Sequence, residues 1–175
     1  LNVWRDKLYR LGLLGLNDDG IGFGNVSIRF RKNEFIISGS GTGKFKKLTE
    51  EHYALVTDYD VKKNAVCSTG SIIASSESLT HAMIYEYANN VHAVMHVHHF
   101  KMWKKLLNAL PATGENIEYG TPEMAKEIVR LFNEQNLSHH KIFAMAGHHA
   151  GIVCFGQNLD QAGEILLNEF DDVTN

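Results

Sequence analysis

The apolar residues of this chain recur in two periods, and the switches between them divide it into elements. Between Val3 and Leu14 the apolar positions 4, 8 and 11 follow a helical period, and Asn17-Asp18-Asp19-Gly20 then brings turn chemistry. Residues 26–30 and 34–38 read as a hairpin around Arg31-Lys32-Asn33, and residues 53–58 and 65–68 as a second hairpin around 60–64. Ser75 is placed to cap a helix running to residue 89, with Leu79, Ala82, Met83 and Ala88 inward. Residues 92–98 alternate apolar and polar like a half-buried strand, and 99–107 suit a helix. Thr121-Pro122-Glu123 is a helix start: a capping hydroxyl, a proline at the first position, then an acid. Met124, Ile128 and Leu131 continue it on one face. Residues 142–146 and 152–155 read as strands flanking a turn at 147–151, and 158–170 as a closing helix. Hairpins mixed with helices argue for α+β layers around a largely antiparallel sheet.

The pattern runs without a break. The chain has 175 residues, two prolines and no linker or repeat, so residues 1–175 are expected to form one domain with a sizeable core. A net charge of −3 with no basic stripe argues against nucleic acid, and Lys101, Lys104 and Lys105 read as a solvated helix face. No apolar run approaches a membrane span. Cys67 and Cys154 lie in apolar, strand-like segments and read as small buried hydrophobes, not a disulfide. No secretory signal is visible, so the cytoplasm is the expected location. The chain opens at Leu1, and its natural N-terminus is expected upstream.

Chemistry concentrates at His96-Val97-His98. Residues two apart on a strand share a face, so both imidazoles are presented together. Gly147-His148-His149 offers a third ligand, and three protein ligands with one open position is the pattern of a catalytic zinc site. Ten histidines make some chance neighbours inevitable, but burying two imidazoles without partners is costly. Ser38-Gly39-Ser40-Gly41-Thr42-Gly43-Lys44 invites a phosphate-loop reading and fails it. Ser38 stands where that motif needs glycine, and Phe45 where it needs Ser or Thr. An anion-binding loop and a plain turn remain equal readings there. Ala74-Ser75-Ser76-Glu77 is either an anion site at a helix N-terminus or ordinary capping, with Glu77 an acid/base or a dipole partner. Gly22-Phe23-Gly24-Asn25 hints at close backbone approach to a ligand.

Taken in order, these segments resemble the class II aldolase/adducin family, which includes fuculose-phosphate aldolase and ribulose-phosphate 4-epimerase. The matching motifs are Gly24-Asn25-Val26-Ser27-Ile28-Arg29, then Ile37-Ser38-Gly39-Ser40-Gly41 with Leu48-Thr49, Ala74-Ser75-Ser76-Glu77, Ala93-Val94-Met95-His96-Val97-His98 and the histidine turn. The resemblance implies a three-layer α/β/α fold with a central, mainly antiparallel sheet, assembled as a homotetramer with sites near subunit interfaces. It makes His96 and His98 ligands of a divalent metal, usually zinc, and Glu77 the acid/base beside it. Asn25, Ser40, Gly41, Ser75 and Ser76 would hold a substrate phosphate.

Three departures stand out. The third ligand of the family usually precedes glycine, whereas Ala150 follows the two histidines here, with His148 the favoured ligand and His149 close behind. No tyrosine follows Tyr119, although sugar-phosphate enzymes of the family carry a catalytic one near the C-terminus. The Gly39–Lys44 loop is also longer and richer in glycine than usual. The activity implied is retro-aldol cleavage of a phosphorylated ketose through a zinc-stabilised enediolate. A 4-epimerase or dehydratase on the same site, and an adducin-like interaction module without metal, are the alternatives.

Overall fold

The computed structural model describes residues 1–17 and 19–174, so Asp18 of the expected turn lies outside the described residues. The chain runs α1 (Asn2–Arg10), β1 (Gly15–Leu16), β2 (Gly22–Phe23), β3 (Asn25–Arg29), β4 (Phe35–Ser38), β5 (Tyr53–Asp60), β6 (Ala65–Gly70), α2 (Ser78–Tyr87), β7 (Ala93–His98), α3 (Phe100–Leu106), α4 (Pro122–Glu134), α5 (Leu137–His140), β8 (Ile142–Ala144), β9 (Gly151–Gly156) and α6 (Leu159–Thr174). Seven strands form one sheet in the order β6-β5-β4-β3-β7-β9-β8. Every neighbouring pair in it is antiparallel. Among the described residues no helix is long and apolar enough to cross a membrane.

Helices cover both faces and make the three layers. Ala82, Met83 and Ile84 of α2 with Met124, Ile128 and Leu131 of α4 pack on Val94, Phe143 and Val153. On the other face, Leu8 of α1, Met102 and Leu106 of α3, and Ala162 and Leu166 of α6 pack on Ala93, Met95, Val97 and Ile152. The 3.6-residue spacing of the apolar positions in α4 dictates this, and its Thr121 cap accepts a hydrogen bond from the Met124 N–H at 3.2 Å.

Four local expectations need correcting. Strand β7 is buried on both faces rather than one, because it lies centrally in the sheet; its alternation separates a core face from a site face. Helix α2 starts at Ser78 with Glu77 as its cap residue, and Ser75 closes the preceding turn instead, accepting the Ser78 N–H at its carbonyl. Cys67 is exposed, since it lies on the edge strand β6; only Cys154 is buried. Leu11 is exposed, as α1 has already ended there. The short strands β1 and β2 and the single turn α5 were not expected, being too brief to show a period.

Candidate metal centre and anion pocket

On β7, His96 and His98 share the face of Val94, beneath the start of α2. The antiparallel register sets Asn25 of β3 directly opposite His96, and Asn25 Nδ2 lies 3.3 Å from His96 Nδ1. A side chain at Gly24, whose φ is +77°, would collide with Leu14 and the His96 carbonyl, so glycine lets the strands close here. The third imidazole comes from the turn between β8 and β9. That turn is closed by Met145 N–H to the Gly151 carbonyl (2.9 Å) and Gly151 N–H to the His148 carbonyl (2.8 Å). Successive residues of so tight a turn point apart. His148 turns inward, with its Nε2 2.9 Å from His98 Nε2, while His149 turns out and packs against Phe100 and Trp103. Of the two candidates for third ligand, His148 alone joins the cluster; His149 lies outside it.

One ring nitrogen each from His96, His98 and His148 lies within 4.8 Å of the others. Burial first, then the neighbouring imidazoles, lowers His96 well below its usual range and brings His98 down to about 3. His148 is lowered to about 4, again mainly by burial. All three are therefore neutral at pH 7, the form that ligates metal. Glu77 Oε1 stands 3.9 Å from both His96 Nδ1 and His148 Nε2. With neutral imidazoles these approaches are not ion pairs. Desolvation pushes the Glu77 carboxyl up to about 8. Both its oxygens and His96 Nε2 are buried without hydrogen-bond partners. Such orphaned atoms are costly to bury, and a cation among them would satisfy them. Three nitrogen donors with one open position fit zinc, so the residues present suit a divalent ion.

Beyond the imidazoles lies a cavity of about 370 Å³, lined by Asn25, Ser40, Gly41, Ser75, Ser76, Glu77, His96, His98 and His148 together. The two serine segments are paired by backbone: Gly39 bridges Ala74, and the Ser40 N–H donates to the Ile73 carbonyl at 2.9 Å. They therefore sit side by side ahead of α2. Behind the site, Ser27 Oγ lies 2.7 Å from both His81 Nδ1 and Tyr85 OH, which braces α2 against β3.

Tyr119 and Lys44 are among the cavity residues that escaped the sequence reading. The Tyr119 ring lies tilted against that of His148, with ring centroids 4.2 Å apart. Its position just before the Thr121 cap was the available signal, since Gly120, at φ +67°, presses that loop onto the Ser76 carbonyl. Lys44 was seen only as part of a failed phosphate-loop motif, yet it also lines the cavity.

Comparison with known proteins adds to this geometry. A family model described as the class II aldolase and adducin N-terminal domain matches residues 8–167. No curated protein sequence matches the chain. Among solved structures, an L-fuculose 1-phosphate aldolase superposes with TM-score 0.72 at 21% identity, covering 98% of this chain and 79% of that one. YgbL from Escherichia coli, described as an aldolase/epimerase/decarboxylase candidate, gives 0.70 at 15% identity over 98% and 83%. The L-fuculose-1-phosphate aldolase from Thermus thermophilus gives 0.64 at 20% over 99% and 85%. At these identities the structural likeness speaks for the fold alone.

Proposed function

The chain belongs to the class II aldolase and adducin N-terminal domain family, and from that premise we propose that it is a divalent-metal-dependent lyase that splits a phosphorylated ketose by retro-aldol cleavage. One observation carries the reading. A single cavity joins three neutral imidazoles, a buried carboxyl without partners and a loop segment rich in N–H groups and hydroxyls. An interaction module would have no use for that costly arrangement.

Zinc or another divalent ion on His96, His98 and His148 would act as a Lewis acid on the substrate's carbonyl and adjacent hydroxyl. Asn25, Ser40, Gly41, Ser75 and Ser76 bind the phosphate and thereby set the reacting carbons beside the imidazoles. Glu77 takes the proton of the hydroxyl that becomes the aldehyde as the carbon–carbon bond breaks and gives it to the carbon that is freed; the reverse direction undoes both transfers. Burial raises its pKa and a neighbouring cation would lower it, so it is able both to give and to take. Tyr119, whose ring packs against His148, lines the same cavity. The same reading puts the chain in a cytoplasmic homo-oligomer, a tetramer as in its family. Ile21, Phe100 and Tyr119 support this by leaving apolar surface exposed around the cavity.

A screen of phosphorylated ketoses tests the reaction. The expected result is aldehyde release that stops with chelator and returns with zinc. An epimerised ketose without aldehyde would make it a 4-epimerase, and loss of water a dehydratase. Purified protein that takes up no metal and turns over no ketose would contradict the enzyme reading altogether.

A further inference from the structure

The turn that carries His148 is clamped at one peptide unit. The Met145 carbonyl accepts the Trp103 Nε1–H of α3 at 2.9 Å and the His148 N–H at 3.1 Å. The Ala146 N–H, at the other end of the same peptide, donates to Thr113 Oγ1 at 3.0 Å. Thr113 is only 4% exposed, and its own N–H donates to the Ala144 carbonyl at 3.1 Å. The segment 111–117 lies so close along the turn that a side chain on Gly147 would strike the Ile117 and Glu115 carbonyls. Helix α4 holds that segment in place. Glu127 accepts the Gly114 N–H at 2.8 Å, and Arg130, paired with Glu127, donates to the Ala112 carbonyl at 3.0 Å.

Side-chain bonds at both ends of one peptide fix its plane, and that plane sets the direction in which the following residues leave. The His148 N–H bonds to the clamped carbonyl itself, so the clamp reaches the third imidazole through one backbone link. Trp103 adds a second constraint. Its ring lies against that of His149, with centroids 5.5 Å apart, and keeps that imidazole on the outside. A tight turn without such bonds has other backbone arrangements open to it, and not all of them aim His148 at His98. A site whose competent arrangement is only partly populated binds with correspondingly weaker apparent affinity. We propose that Thr113 and Trp103 are positioning residues that preorganise the His148 turn for the metal, acting on the third ligand through its backbone. This rests on the metal reading above and goes beyond it, to how the third ligand is delivered.

The test measures zinc affinity, by competition with a chelator, for wild type, Thr113→Val, Thr113→Ser and Trp103→Phe. The visible spectrum of each is recorded with cobalt(II) in place of zinc, and the melting temperature of each without metal. Thr113→Val removes the acceptor and Thr113→Ser keeps it; Trp103→Phe removes the N–H and keeps a ring beside His149. Thr113→Val and Trp103→Phe should each bind zinc about tenfold more weakly, the scale of one hydrogen bond. Their cobalt(II) spectra should differ from that of wild type. Thr113→Ser should stay within a few-fold of wild type, with its cobalt(II) spectrum intact. Should Thr113→Val fail to fold, Trp103→Phe carries the same test. Folded variants that melt lower yet match wild type in zinc affinity and cobalt(II) spectrum would make the clamp a packing feature and overturn the proposal. A wild type that binds neither zinc nor cobalt(II) would overturn the metal reading itself, and the proposal with it.

Discussion

Burial holds Glu77 in its neutral form in the metal-free chain. An acid at the start of a helix ordinarily gains about 0.3–1 kcal/mol from the helix dipole. Here both carboxylate oxygens lack partners and desolvation pushes the group up to about 8. In metal-free protein the folded chain therefore keeps a proton that the unfolded chain loses near the ordinary value of 4.5. Stability present below about 4.5 is lost as the pH rises through about 8. Metal-free Glu77→Gln should thus melt higher than wild type at pH 8.5, with the advantage shrinking towards pH 4.5; a pH series of melting curves checks this. The histidines act in the opposite sense. His98 and His148 are lowered to about 3 and 4, so their contribution is lost as the pH falls below 6.5. If the proposed reaction holds, zinc-loaded Glu77→Gln should keep metal and fold but lose about 10²–10⁴-fold in kcat, the scale of a general acid/base. Wild-type turnover with metal intact would reduce Glu77 to a helix cap.

The turn between β8 and β9 shows how an element can tolerate a poor residue. Ala150 adopts φ +62°, a left-handed conformation that costs an L-residue about 1–2 kcal/mol and that glycine takes freely. Ala150→Gly should raise stability by about 1 kcal/mol, or about 2–4 °C in melting temperature, without loss of metal. A fall in melting temperature would mean that the Ala150 methyl packs better than the backbone suffers. This turn also marks the limit of what the sequence made legible. The strand spacing of His96 and His98 gave their shared face at once. The choice between His148 and His149 did not follow, since neighbours in a tight turn diverge by backbone angles that no apolar period encodes. The same limit hid Lys44 and Tyr119, which reach the cavity because Arg5, Gly43 and Gly120 fix their loops. Nor did an apolar period reveal that Ser75 closes a turn ahead of α2.

At the scale of the whole molecule, the layers were legible because three long helices and two hairpins carry strong periods, and the connection lengths allowed an antiparallel sheet. The sheet's order was not, for it depends on long-range pairing of β3 with β7 and β7 with β9. That order creates the site: it puts Asn25 across from His96 and brings the 147–151 turn to His98. A cation bound there would tie β7 to the β8–β9 turn, and by mass action should stabilise the folded chain as its concentration exceeds its dissociation constant. The central claim is the identity of that triad, and metal stoichiometry by elemental analysis tests it most directly. Wild type, His149→Ala and Glu77→Gln should each carry about one divalent ion per chain, while His96→Ala, His98→Ala and His148→Ala should lose it. Full metal content in His148→Ala, or none in the wild type, would contradict the account.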